Sequence, residues 1–247
     1  MAWQWFHRWG SPRWFYERSP AWIRWLGWSA LVLIVAGTVW GLAFAPPEAK
    51  QGNSYRIIYI HLPMVFIAMA GYVLMAGAGA VGLIWKMKMG FMVLRSAAPI
   101  GAFITFAAFV TGAVWGKPTW GTWFLWNDPK IMFFLLLLFL YLGVVVLQAS
   151  YRSQKMADEF SAVLAIVGVV NIPVIYYATK FWNSLHQDAS LKVAGKSSVD
   201  PSMLYPLLIM IIGFYLFYFW LLMKAVRTEV LLREQKTQWV KELVAGQ

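Results

Sequence analysis

Six long apolar runs, at roughly 23–44, 58–85, 97–115, 131–150, 160–179 and 203–224, leave this chain few folds to choose from. Each is close to the ~20 residues a helix needs to cross about 30 Å of hydrocarbon. Within a bilayer each backbone N–H and C=O must be satisfied inside the protein, which leaves helices or closed barrels. Barrel strands read as alternating segments of ~10 residues, and these runs do not alternate. The expected fold is therefore all-α, a polytopic membrane bundle of six transmembrane helices, with residues 1–247 as a single membrane domain. Composition agrees: 61% of residues are hydrophobic and 13% charged, against about 45–50% and 25% in soluble domains.

A net charge of +11 would suit nucleic acid, but the basic residues sit mostly in short segments beside the apolar runs, as in membrane proteins. Fourteen of the 21 Lys and Arg fall in residues 1–24, 86–96, 151–159 and the C-terminal tail, and seven fall on the other side. The positive-inside rule then puts both termini in the cytoplasm. Residues 1–22 are rich in Trp and Arg and read as an interfacial segment, with His7 as one of its polar members. This N-terminus does not read as a cleavable signal. The absence of cysteine removes disulfides, thiolate metal sites and a cysteine nucleophile.

Within the runs, Pro63 near the start of the long second one suggests a helix that begins above the hydrocarbon or is tilted. Gly71, Gly77, Gly79 and Gly82 suit close helix contact. Asn171 and Pro173 place the fifth helix inside the bundle, where the buried amide needs a partner. Residues 225–247 read as a cytoplasmic tail that continues the last helix.

Three connections face the outer side: 45–57, 116–130 and 180–202. The middle one belongs to the stretch 115–130, which holds Trp115, Trp120, Trp123 and Trp126 together with Gly116, Pro118 and Gly121. The glycines and proline predict a loop there. Belt tryptophans are usually scattered, so this cluster reads either as a ligand platform or as a packed lid. His61 at the mouth of the second helix and His186 in the last outer connection reach the same side. Zinc would need a third or fourth ligand, with Asp128 and Asp188 the nearby candidates. Haem needs only axial ligands, for which imidazole is common. Indoles supply a flat apolar surface, and Arg56, Lys117 and Lys130 are cations for propionates. The set fits haem better than zinc.

At these residues the chain resembles a known family. Trp-Gly-Lys-Pro-Thr-Trp-Gly-Thr-Trp followed by Trp and Asp is similar to the tryptophan-rich WWD signature of haem-handling proteins. Gln51-Gly52-Asn53-Ser54-Tyr55-Arg56-Ile57-Ile58-Tyr59 with His61, and Trp182-Asn183-Ser184-Leu185-His186-Gln187, extend the likeness over nearly the whole chain to the CcmC family of bacterial system I cytochrome c maturation. The resemblance implies haem b ligated by His61 and His186, held against the WWD loop at the periplasmic face of the inner membrane. It implies partners too: the small membrane protein CcmD, the ABC transporter subunits CcmA and CcmB, and the haem chaperone CcmE, which receives the haem. Where the family reads Trp-x-Trp-Asp, this chain reads Trp123-Phe124-Leu125-Trp126-Asn127-Asp128-Pro129-Lys130. Either Asn127 stands where the acid is expected, or one residue is inserted and Asp128 takes its place; insertion is preferred because it keeps the acid-x-base order. Lys130 then stands where Arg is usual, retaining the charge but not the bidentate fork.

Two other readings are open. A cytochrome c haem lyase of the larger WWD type would have more spans and further intramembrane histidines. A transporter subunit exporting haem or another substrate would carry polar residues within several spans. No acid–base pair or nucleophile for independent catalysis is apparent.

Overall fold

The computed structural model describes residues 10–186 and 199–246. His7, Gln187, Asp188, Lys192 and Lys196 lie outside them, as does the N-terminal part of the interfacial segment. The described chain is helical, with elements α1 Pro12–Val39, α2 Ile58–Trp85, α3 Lys88–Trp120, α4 Pro129–Ser150, α5 Gln154–Gly168, α6 Asn171–Phe181, α7 Pro201–Glu234 and α8 Gln238–Ala245. A π-helical turn, Trp40–Phe44, ends α1, and a 3-10 turn, Asn53–Ile57, leads into α2. Six helical segments are long and apolar enough to cross a membrane, α5 and α6 together making the fifth. The protein is a multi-pass membrane bundle.

Helix starts follow local chemistry. Ser11, Asp128, Ser153 and Asp200 are N-caps whose side chains accept from backbone N–H groups of the first turn. Pro occupies the first turn of α1, α4 and α7, where its missing N–H costs nothing.

The helices exceed the apolar runs. The run at 97–115 belongs to a helix from Lys88 to Trp120, and that at 203–224 to one from Pro201 to Glu234. The added turns are held by ion pairs at the end bearing the termini. Arg233 donates to both oxygens of Asp158 at 2.6 and 2.9 Å and also pairs with Glu229. Arg95 lies 3.4 Å from Glu229, and Lys88 3.3 Å from Glu234. Arg227 covers the Tyr16 ring at 3.9 Å and donates to Ser19 at 2.7 Å, locking α1 to α7.

In the middle, α2 packs against α3, α5 and α7, while α1 lies along α7. Tyr72, Tyr141 and Tyr218 fill the centre, with Tyr72 and Tyr141 edge to face at 4.9 Å. The Tyr141 hydroxyl donates to the Ala68 carbonyl at 2.9 Å. Small residues make these contacts possible: Gly79 faces Leu94 and Ala162, Gly82 faces Phe91, and Gly71 faces Tyr141 and Tyr218. Gly77 faces open space. On the outside, α1 presents Trp22, Trp25, Trp28, Leu31 and Val32 to the surroundings, as a lipid-facing helix should.

Two local readings change. The fifth run is broken at Val169–Val170 into α5 and α6. Pro173 has no N–H to give the Val169 carbonyl, and the Ile172 N–H closes a tighter turn onto it instead. Asn171 does find its partner, donating to the Phe133 carbonyl at 2.9 Å. The tryptophan stretch is not a loop from residue 116 onward, because α3 continues through Pro118 to Trp120. A proline this near a C-terminus forfeits a single helical bond, and the Thr119 hydroxyl caps the Trp115 carbonyl. Gly121, at φ 77°, is the actual stop, its N–H bonded to the Lys117 carbonyl at 3.1 Å.

Candidate functional site

The site lies at the end of the bundle away from the start of α1 and from α8. It is built from the last turns of α3, the first turns of α2, the short connection 121–128, and residues 182–186 after α6. Because α3 stays helical, Thr111 and Trp115 stand four residues apart on one face, toward α2.

His61 meets that face. Its Nδ1 lies 3.1 Å from the Thr111 hydroxyl. That hydroxyl has one proton, directed at the carbonyls of Ala107 (2.9 Å) and Ala108 (3.0 Å). With its proton on a carbonyl the hydroxyl accepts from His61, and in that tautomer Nδ1 carries the proton and Nε2 keeps its lone pair. The ring packs edge-on to Trp115 at 5.7 Å. Trp115 is fixed by donating from its indole to the Gln51 side chain at 2.7 Å and by edge contact with Tyr55. Gly112 makes the room: a Cβ there would sit 2.9 Å from His61 Cε1.

His186 is organised the same way by different groups. Its Nδ1 lies 3.2 Å from Asp128 Oδ1, off the axis of an aligned hydrogen bond. A carboxylate only accepts, so this ring too has Nδ1 protonated and Nε2 free. Trp120 lies against the ring at 4.8 Å. Burial pushes the His186 pKa down and the charge of Asp128 opposes that; the net effect is downward, which keeps the imidazole neutral.

Asp128 is the joint of the site. It caps α4 through Oδ1, accepting from the N–H groups of Lys130 at 3.0 Å and Ile131 at 3.2 Å. Through Oδ2 it accepts from the Ser184 hydroxyl at 2.8 Å and the Leu185 N–H at 3.0 Å. Burial would raise its pKa, but the Ser184 hydrogen bond and the N–H donors of Ile131 and Leu185 outweigh it and hold the carboxyl below its usual value. Asn127 is exposed.

The tryptophans divide into two pairs. Trp115 and Trp120 each back one histidine. Trp123 and Trp126 are 53% and 62% exposed, open to whatever the site receives. Between them Phe124 stacks on Phe109 at 5.0 Å and lies 5.1 Å from Trp126.

The cations also separate. Lys130 is close enough to act electrostatically on both His61 and His186. Lys117 is exposed and donates to the Gly121 carbonyl at 3.1 Å. Arg56 points to the end of α1, donating to the carbonyls of Gly41, Leu42 and Ala45 and to Asn53. Four of the roughly five N–H donors of a guanidinium are thereby spent. Among the described residues no three His, Asp or Glu side chains converge as a metal site.

Sequence reasoning missed Thr111, Gly112, Phe109 and Phe124. A signal existed for the first two. The tight turn at Lys86 joins α2 and α3 as an antiparallel hairpin, so residues whose numbers add to about 173 share a height. Gly79 with Leu94 and Gly82 with Phe91 obey this register, and so does His61 with Gly112.

Fold and site together define a class: a six-span membrane protein whose far end holds two tryptophan-backed histidines. The chain belongs to the CcmC family, whose model, described as Heme exporter protein C, matches residues 5–241. It is 41% identical over 242 residues to the Heme exporter protein C of Escherichia coli K12, across 98% of this chain and 97% of that protein. Identity to the Haemophilus influenzae protein of the same name is 40% over 241 residues, 98% of each chain. The Bradyrhizobium diazoefficiens protein is 35% identical over 227 residues, 92% of this chain and 86% of that one.

Proposed function

We propose that this protein binds haem on the periplasmic face of the inner membrane and hands it to the chaperone CcmE for c-type cytochrome biogenesis. Haem is cargo here. His61 and His186 bind its iron through Nε2. Trp115 and Trp120 hold the two imidazoles, and Trp123 and Trp126 offer the apolar surface the porphyrin meets. Lys130 and Lys117 are the propionate partners. Arg56 contributes chiefly by fixing the chain before α2, with one donor left for a propionate. Asp128 takes the acid's place in the motif. The protein works beside CcmD and the ABC subunits CcmA and CcmB, both its termini being cytoplasmic.

One observation carries this reading. Two imidazoles stand at one end of the bundle, each packed against a tryptophan, His61 with Nδ1 beside the Thr111 hydroxyl and His186 with Nδ1 beside the Asp128 carboxylate. Haem needs axial donors of this kind, whereas a structural zinc site needs a third and fourth ligand, and among the described residues no three His, Asp or Glu side chains converge. The names of the relatives point to the same cargo. Catalysis would then be positioning: the acceptor reacts with a group held in place.

The test is spectroscopic. Purified protein should show a haem Soret band that weakens or shifts in His61→Ala and in His186→Ala, and the band should respond to apo-CcmE. Spectra unchanged in both variants would remove the ligand assignment. A strain lacking the gene should make haem but no c-type cytochromes.

A further inference from the structure

The two histidines are backed by chemically different groups. His61 Nδ1 has a neutral hydroxyl at 3.1 Å, already engaged with two carbonyls. His186 Nδ1 has a buried carboxylate at 3.2 Å. We propose that Asp128 is a positioning residue that makes His186 the stronger iron ligand, so that His61 is the ligand replaced when the cargo leaves. This rests on the haem reading above.

The physics runs through charge and anchorage. A carboxylate near the Nδ1–H of a ligating histidine raises the donor strength of Nε2 and fixes the ring. A threonine hydroxyl supplies only an ordinary hydrogen bond. Asp128 also holds the chain at His186. Its Oδ2 accepts from Ser184 and from the Leu185 N–H, and the His186 N–H donates back to the Ser184 hydroxyl at 3.1 Å. The carboxylate is shared among several donors, which dilutes its pull on any one. It nevertheless carries a full negative charge at 4% exposure, where screening is weak. His61 sits on the stiffer element, since α2 is a continuous helix. That stiffness fixes where its ring starts, not how strongly it donates, and the bond that breaks is the weaker one. In the exchange the iron–His61 Nε2 bond breaks with its electron pair returning to nitrogen. A lone-pair donor of the receiving protein supplies the replacement pair. No electron is transferred and no proton need move.

The experiment uses the full-length protein loaded with haem in detergent. Haem loss to excess apomyoglobin is timed, and the midpoint potential is read by spectroelectrochemistry. His61→Ala should retain haem as a single-histidine complex, while His186→Ala should lose it faster. Asp128→Asn should speed loss by about 10- to 100-fold, the usual range for partners of ligating histidines, and should raise the potential because a negative charge has gone. Thr111→Val should change loss by only about fivefold, the worth of one neutral hydrogen bond of about 1 kcal/mol. Ser184→Ala cuts one tie but keeps the carboxylate, and should leave the potential unchanged. Slower loss from His186→Ala than from His61→Ala overturns the proposal, as do equal shifts in Asp128→Asn and Thr111→Val. Either result leaves the haem site standing. Unaltered spectra in both histidine variants would instead defeat the haem reading itself. Should Asp128→Asn fail to fold, the two histidine variants still decide.

Discussion

Gly112→Ala adds one methyl group, and its consequence can be worked from distances. The new Cβ would lie 2.9 Å from His61 Cε1, with Nδ1 at 3.6 Å and Nε2 at 3.8 Å. Carbon atoms rest at about 3.5–4.0 Å, so the ring must retreat by roughly 0.6 Å or more. Retreat pulls Nδ1 away from Thr111 and tilts the ring against Trp115, the groups that set its tautomer and direction. The fold itself should survive. Overpacking costs about 1–3 kcal/mol, and Gly to Ala within a helix returns about 1 kcal/mol, for a net loss of at most ~2 kcal/mol. A functional constellation tolerates displacement of only about 0.5 Å, so the site should suffer more than the bundle. The expected result is thermal unfolding in detergent within a few degrees of the parent, together with a weakened or shifted Soret band and slower haem transfer. A normal spectrum and normal transfer in Gly112→Ala would refute the claim that Gly112 exists to seat His61.

Three further perturbations separate roles. Arg56→Lys keeps the charge but loses the fork that reaches Gly41, Leu42 and Ala45. Hydrogen exchange near residues 40–45 should rise while haem binding persists, and abolished binding with unchanged exchange would instead make Arg56 chiefly a propionate ligand. Arg233→Met leaves Asp158 buried without its cation and Glu229 with Arg95 alone at 3.4 Å, and should cost about 3–5 kcal/mol in unfolding measurements, with partial recovery on adding Asp158→Leu. Gly101→Ala places a Cβ 2.1 Å from Tyr141 Cε1. It should lower yield and stability by upwards of ~3 kcal/mol, at the severe end for overpacking, and Tyr141→Ala should restore part of that loss.

Hydropathy made the six spans legible, because hydrocarbon demands length and apolarity and little else. It did not show where α3 begins. Residues 88–94 are helical beside ion pairs at one end of the bundle, and Lys88, Arg95 and Glu229 are invisible to an apolarity count. The continuation of α7 to Glu234 was legible from the helical spacing of the tail. Trp115, Trp120, His61 and His186 were legible as residues sharing one end, and α3's unexpected length explains how they meet. A helix through Pro118 carries Trp120 on the same element as Trp115, so that one helix backs both histidines. Gly112 was unreadable by composition, since a glycine in a membrane helix is ordinary. Only the hairpin register, set by the turn at Lys86, pairs it with His61. The same logic pairs Asn171 with Phe133 across the turn between α4 and α5. Short connections thus carry contact information that apolar periodicity lacks.

The altered spacing at the end of the tryptophan stretch follows from what position 128 must do. A residue there has to cap α4, accepting two N–H groups on one oxygen, while its other oxygen accepts from Ser184 and Leu185. Asparagine could cap a helix, but its amide nitrogen would turn donors toward the Leu185 N–H or the helix start, and one of those groups would lose its acceptor. Both oxygens are needed, so the acid belongs at the capping position, immediately before Pro129. Asn127 makes no such demand. It is exposed in a turn closed by the Asp128 N–H bonding to the Leu125 carbonyl at 2.9 Å. The turn can therefore vary in length without moving the carboxylate from where α4 and residues 184–186 engage it. What fixes the acid is its distance from the helix that follows, not from the tryptophans that precede it.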